Sequence, residues 1–224
     1  MKKIKYFHTV LTAVILFAVL LNGCSLNKEN KTSGTGNKEM NSASDKGNKF
    51  KVVSSESKLE WEATKVAGKH NGTVDIGNGE LFFDKGELSG GSFDIDFNSI
   101  KVTDLTDAEM NAKLTNHLKS DDFFSAASFP TGKFIIKSVS KNTGGTANNY
   151  NIGGSLTIKG ITKDISFPAS INLTNDNVIA TSDIKLDRTL WDIKFRSGKF
   201  YENLGDKLIS DEFNIKFNIK AKKI

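Results

Sequence analysis

A single cysteine, Cys24, occurs in the 224 residues, so the chain cannot close a disulfide within itself. A thiolate-rich metal centre is excluded for the same reason. Histidine is nearly as scarce: His8 lies in a leader-like N-terminus, and His70 and His117 are too far apart in sequence to suggest a shared metal. There is no G-x-S-x-G, no Walker loop and no H-E-x-x-H, so none of the usual hydrolase or phosphate-binding signatures is present. We expect a protein that is not an enzyme and that uses no cofactor or metal. An apolar run of roughly 20 residues, the length that crosses a bilayer as a helix, is also missing. Of the 31 Lys and Arg, Lys2, Lys3 and Lys5 precede the first apolar stretch, and without them the formal net charge of +5 falls to +2. No basic cluster interleaved with aromatics remains, which argues against a nucleic-acid partner.

What is present begins with those lysines, followed by the uncharged apolar run Val10 to Leu21 and then Asn22-Gly23-Cys24. This is the pattern of a secretion leader. Leu21-Asn22-Gly23-Cys24 resembles a bacterial lipobox, which implies a signal peptide over residues 1–23 and a diacylglycerol on the Cys24 thiol. Residues 24–49 are mostly Asn, Lys, Ser, Gly and Thr and bury too little apolar surface to fold. As a flexible tether of about 25 residues this segment spans roughly 25–30 Å. Acylation implies a membrane partner reached through Cys24 and a place in the cell envelope. Ser25 after the cysteine, where enteric bacteria use aspartate to retain lipoproteins at the inner membrane, favours the outer membrane and leaves the face open. Residues 50–224 suit one domain with a sizeable core.

Within that domain, apolar residues recur with period two. Leu59, Trp61 and Ala63 alternate with Glu60, Glu62 and Thr64, and Phe93, Ile95 and Phe97 alternate with Ser92, Asp94 and Asp96. The C-terminus repeats this with Phe213, Ile215, Phe217 and Ile219. Such strands have one dry and one wet face. Turn residues at Asp84-Lys85-Gly86, Asn142 to Asn149 and Asn175-Asp176-Asn177 separate them into antiparallel hairpins. The result is an all-β domain of eight or nine strands. Periodicity does not choose between a closed barrel, which at about eight strands can hold one small ligand, and a sandwich filled by side chains.

One helix interrupts the strands near residues 106–125, together with a short helical turn. Thr106 and Glu109 have capping-box spacing, Met110, Leu114 and Leu118 share a face, and the helix should end near Ser120. Phe123 and Phe124 follow, and Pro130 keeps Phe129 extended. Asp94, Asp96, Asp104 and Asp107 do not have calcium-loop spacing and read as solvated charge. Beyond the leader, 14 of the 16 phenylalanines remain against two tyrosines. Rings without a polar handle are consistent with a dry interior and equally with an ordinary packed core.

The stretch HLKSDDFFSAASFPTGKF, His117 to Phe134, and the later LTIKGITKDISFP, Leu156 to Pro168, resemble the signature blocks of the YceI-like proteins. WEATKVAGKHNG, GELSGGSFDIDFNSIKVTDL and the closing DRTLWDIKF…ISDEFNIKFNIKA extend the resemblance over nearly everything after Phe50. It implies a single lipocalin-like up-and-down barrel and a polyisoprenoid or other long-chain lipid ligand. On that reading, alternation places Trp61, Phe93, Ile95, Phe97, Phe134 and Ile136 in the pocket, with Leu156, Ile158, Phe167, Phe213 and Phe217. Leu114, Leu118, Phe123 and Phe124 would form the lid. His70, matching the family's Lys…His-x-Gly motif, is either a turn histidine bonded to nearby backbone or a polar contact for a ligand head group at the mouth. His117 should stabilise the helix C-terminus. The expected function is an extracytoplasmic, lipid-anchored binding protein that sequesters or carries a long-tailed amphiphile. The alternative is a structural or adhesive surface lipoprotein with a solid core. Neither reading sets the oligomeric state.

Overall fold

The computed structural model describes residues 47–142 and 148–224. The leader, Cys24 and nearly all of the tether lie outside the described residues, as does the centre of the Asn142 to Asn149 turn. The elements in chain order are β1 (Asn48–Val52), β2 (Lys58–Lys65), β3 (Gly68–Asp84), β4 (Glu87–Val102), α1 (Ala108–Lys119), β5 (Thr131–Lys141), β6 (Tyr150–Ile158), β7 (Ile161–Leu173), β8 (Asn177–Asp187) and β9 (Ile209–Lys223). Each strand from β2 to β8 pairs antiparallel with the next, and β9 closes the sheet onto β2. β1 and β2 lie end to end in one stave between β3 and β9: Phe50 faces Leu81 and Lys223, whereas Leu59 faces Val74 and Phe217. A 3-10 turn at Ser54–Glu56 interrupts that stave. The nine strands therefore make a closed barrel of eight staves, which leaves no open sheet edge. β1 starts at Asn48, two residues inside the segment expected to be tether.

Tight turns follow from local chemistry. Lys85 and Gly86 (φ 51° and 82°) and Lys159 and Gly160 (φ 50° and 72°) each form a two-residue loop with both residues in the left-handed region. That geometry matches the twist of paired strands, and glycine occupies it without a Cβ clash.

Up-and-down order separates the connections into two ends. The β3–β4, β5–β6 and β7–β8 turns lie at the end where β1 enters, and this end is closed by side chains. Phe50, Phe83 and Val178 are almost fully buried there, the two rings edge to face at 5.3 Å. At the opposite end lie the long β4–β5 and β8–β9 connections. The first carries α1, whose N-cap is Asp107 rather than the expected Thr106: Asp107 Oδ1 accepts from the Met110 amide at 2.8 Å. Asp107 has the extended backbone that lets its carboxylate turn back on the first helical turn. Ser120 ends the helix as expected, its amide donating to the His117 carbonyl. The second connection, residues 188–208, forms 3-10 turns and loop and buries Trp191 completely.

Candidate functional site

The alternation of apolar residues turns one face of every stave inward. In the half of the barrel nearer the long connections, these side chains leave a cavity of about 120 Å³ whose exposed walls are entirely apolar. β2 contributes Leu59, Trp61 and Ala63, β4 contributes Phe93, Ile95 and Phe97, and β9 contributes Phe213, Ile215 and Phe217. Phe134, Leu156, Ile158, Ile165, Phe167, Ile184 and Leu186 complete the ring. Four phenylalanines run across the interior in sequence. Phe93 lies 5.4 Å from Phe134, Phe134 lies 5.6 Å from Phe167, and Phe167 lies 5.8 Å from Phe217. These spacings fall in the range of favourable tilted and edge-to-face ring pairs.

Two segments cover the open end. From the α1 side come Leu118, Phe123 and Phe124, and Phe124 stacks on Phe97 at 4.8 Å. From the other side come Arg188 and Ile193. The two meet where Phe195 touches His117 at 4.7 Å and Phe123 at 5.5 Å. Lys159, in the intervening hairpin turn, donates to the Asp121 carbonyl at 3.2 Å and to the Asp192 carbonyl at 3.4 Å, joining both covering segments.

Arg188 is the one charged residue in the cavity wall, and its charge is turned away from the void. Its Nε, Nη1 and Nη2 donate to the carbonyls of Ser210, Ile193 and Ile209 at 2.9, 2.8 and 3.1 Å, with Asp211 at 3.5 Å. Burial lowers the guanidinium from its ordinary value, opposed by the carboxylates of Asp211 and Asp187. The alternation of strands carried no signal for it, because it sits where β8 gives way to a 3-10 turn. Trp191, three residues on, is buried with its indole N–H on the Leu156 carbonyl at 3.0 Å. The other indole differs. Trp61 Nε1 is buried and is the only side-chain polar atom among the described residues found buried without a hydrogen-bond partner.

Most residues expected in the pocket from alternation line this cavity, with three exceptions. Ile136 lies two residues nearer the packed closed end along β5 than Phe134, opposite Gly91, and does not line the void. Leu114, one helical turn before Leu118, packs against the core without reaching the void. His70 is neither a turn histidine bonded to backbone nor a cavity residue. It lies within β3 opposite Ala63, and its Nδ1 is 2.8 Å from Asp104 Oδ2. Asp104 and Asp107 are thus structural partners rather than free solvated charge, Asp104 also accepting from the Asn71 amide at 3.1 Å. Burial works to raise the Asp104 carboxyl, but the hydrogen bonds from Asn71 and His70 together outweigh it and hold the group below its usual value. His117 stands in the last turn of α1 and its Nε2 is 2.9 Å from Asp122 Oδ2. Alternation underweighted Val74 and Ile100, and the wall contacts from Ile193 and Ile209 lie at or beyond strand ends.

The sequence profile of the YceI-like domain matches residues 50–221. A UPF0312 protein of Shewanella denitrificans is 34% identical over 92 residues, covering 41% of this chain and 44% of that protein. The chain thus spans about half the length, or slightly less, of the curated relatives it matches. Among solved structures, BcnA of Burkholderia cenocepacia superposes with a TM-score of 0.60 at 21% identity, over 75% of this chain and 98% of that one. A polyisoprenoid binding domain from Saccharophagus degradans gives 0.56 at 11% identity, over 78% and 98%. At these identities the likeness is one of fold.

Proposed function

The chain belongs to the YceI-like domain family, and from that premise we propose that its barrel binds the apolar tail of a long-chain lipid of polyisoprenoid or quinone-like type. The observation that carries this reading is the cavity itself, walled by phenylalanines and aliphatic side chains with no polar surface exposed to it. The solved domain from Saccharophagus degradans, described as polyisoprenoid binding, supports it at the level of the fold. Energetics favour a long tail over a small metabolite. Ten buried methylenes contribute about 8 kcal/mol gross, against a cost of roughly 4–15 kcal/mol for association. Binding rather than catalysis is proposed, the cavity wall offering no paired nucleophile and base.

At about 120 Å³ the closed cavity is smaller than sites for drug-sized ligands, which run from about 300 to 1,000 Å³. A long tail therefore needs the covering segments to move outward. The same small volume favours a second reading, a surface lipoprotein whose barrel is simply a solid core. Native mass spectrometry of the purified chain, followed by titration with an isoprenoid quinone, separates the two. The lipid reading expects a co-purifying or titratable adduct of one lipid per chain, whereas no adduct and no binding would leave the solid core.

We further propose that the protein works outside the cytoplasm, anchored through acylated Cys24, with the tether holding the barrel away from the outer membrane. The leader-like residues and the lipobox resemblance support this placement.

A further inference from the structure

We propose that the Trp61 indole N–H is the polar anchor for the head group of the bound lipid, and that the cavity selects an uncharged head group bearing a carbonyl or hydroxyl oxygen. This rests on the lipid-binding reading and adds a ligand class to it.

Among the cavity-lining residues only Trp61 and Arg188 carry a side-chain hydrogen-bond donor. Arg188 is committed, each of its three nitrogens donating to a backbone carbonyl. Trp61 is not: its Nε1 is buried without a partner, while the second indole, Trp191, is satisfied by Leu156. A buried donor left unpaired weakens the empty fold, because it gives up its water without replacement. Phenylalanine fills comparable positions elsewhere in this wall at no such cost. Trp61 faces Gly72 across the β2–β3 pair, where a Cβ would first collide with the Lys101 carbonyl oxygen and would also come within 2.8 Å of Trp61 Cε2, the carbon bonded to the N–H nitrogen.

Position along the barrel agrees with a head-group role. Leu59 is opposite Phe217, at the level of the ring row, and Trp61 is two residues nearer the covered mouth, opposite Ile215. A tail lying against Phe217, Phe167 and Phe134 places the group that follows it at the level of Trp61. Because Nε1 lies within the wall, only a group that enters as the cavity widens reaches it. With the Arg188 charge turned outward, nothing in the wall neutralises a carboxylate or phosphate. An anionic head group would be buried uncompensated.

The test uses the full chain carrying Cys24→Ser, and competes methyl oleate, heptadecene and oleate against a bound fluorescent polyene. The parent should prefer methyl oleate to the hydrocarbon by about tenfold, the worth of one buried hydrogen bond, and should bind the oleate anion more weakly than the ester. Trp61→Phe should abolish the ester preference, so that methyl oleate and heptadecene compete equally whatever the change in their common affinity, and should keep or raise the melting temperature of the empty protein. In the parent, the Trp61 indole N–H resonance should move downfield with the ester and stay put with the hydrocarbon, a reading that does not depend on how the variant folds. An ester preference that survives Trp61→Phe, an indole resonance that ignores the ester, or oleate binding as tightly as its ester would each overturn the anchor while leaving lipid binding intact. Failure of the polyene and of all three lipids to bind at all would overturn both readings.

Discussion

Arg188 shows how a single charge can hold a loop to a barrel without serving as a ligand contact. Three carbonyls, of Ile193, Ile209 and Ser210, converge on it. Replacing it by Met leaves them with no buried donor, so Arg188→Met should cost about 3 kcal/mol in urea unfolding. Arg188→Lys should recover only part, because an ammonium cannot present the same planar fork. Asp104 offers a pH-dependent counterpart. Its carboxyl titrates lower folded than unfolded, as hydrogen bonds from Asn71 and His70 overcome burial. Its contribution is therefore complete above the unfolded value, near pH 4 or about 3.9, and is lost as pH falls through the folded value. Asp104→Asn should be less stable than the parent near neutrality, with the difference closing in acid below about pH 4. A gap that stays constant into acid would mean that the carboxylate charge contributes nothing.

The two covering segments are the elements that must yield for a ligand to pass. Both are irregular or short, joined to each other by the His117, Phe123 and Phe195 rings and by Lys159. Although Trp191, Ile193 and Phe123 are buried, these segments stand outside the continuous strand ladder, and such segments open more readily than a closed sheet. Phe217, by contrast, is buried on β9 and packs edge to face on Phe167. Phe217→Ala should cost about 3–5 kcal/mol, as core phenylalanine deletions do. Phe124, partly buried and stacked on Phe97, should behave differently. Phe124→Ala should shorten ligand residence severalfold in stopped-flow release while lowering the melting temperature less than Phe217→Ala. Equal melting losses with unchanged release would make Phe124 ordinary core. Sequence reasoning located this turn through the Phe-Phe pair and Pro130 but did not find its partner over residues 188–208, since that segment has no period to read.

At the scale of the whole molecule, the closed sheet and its packed end leave the end carrying both long connections as the entry route for the proposed ligand. The proposed anchor acts on the chain as a unit. Cys24→Ala should move the protein from the detergent phase to the aqueous phase in a phase-partition assay, and retention in detergent would remove acylation as the means of attachment. Among the described residues no helix is long and apolar enough to cross a membrane.

Alternation alone determined that Phe93, Ile95, Phe97, Phe213 and Phe217 share a dry face, because successive strand side chains point to opposite sides whatever the strand pairs with. Turn chemistry likewise placed the hairpin at Lys85-Gly86, where two positive φ angles are needed. Depth along a strand is a different kind of information. Ile136 and Phe134 have the same inward orientation, yet only the closed end's packing decides that one is floor and the other wall. The partners of side chains far apart in sequence were also beyond periodicity. His70 meets Asp104, and Arg188 meets Ser210 and Ile209, only because the register of the paired strands brings β4's end beside β3's start and β9's start beside β8's end. The unpaired Trp61 N–H belongs to the same class, since the lack of a partner is visible only once every neighbour is in position.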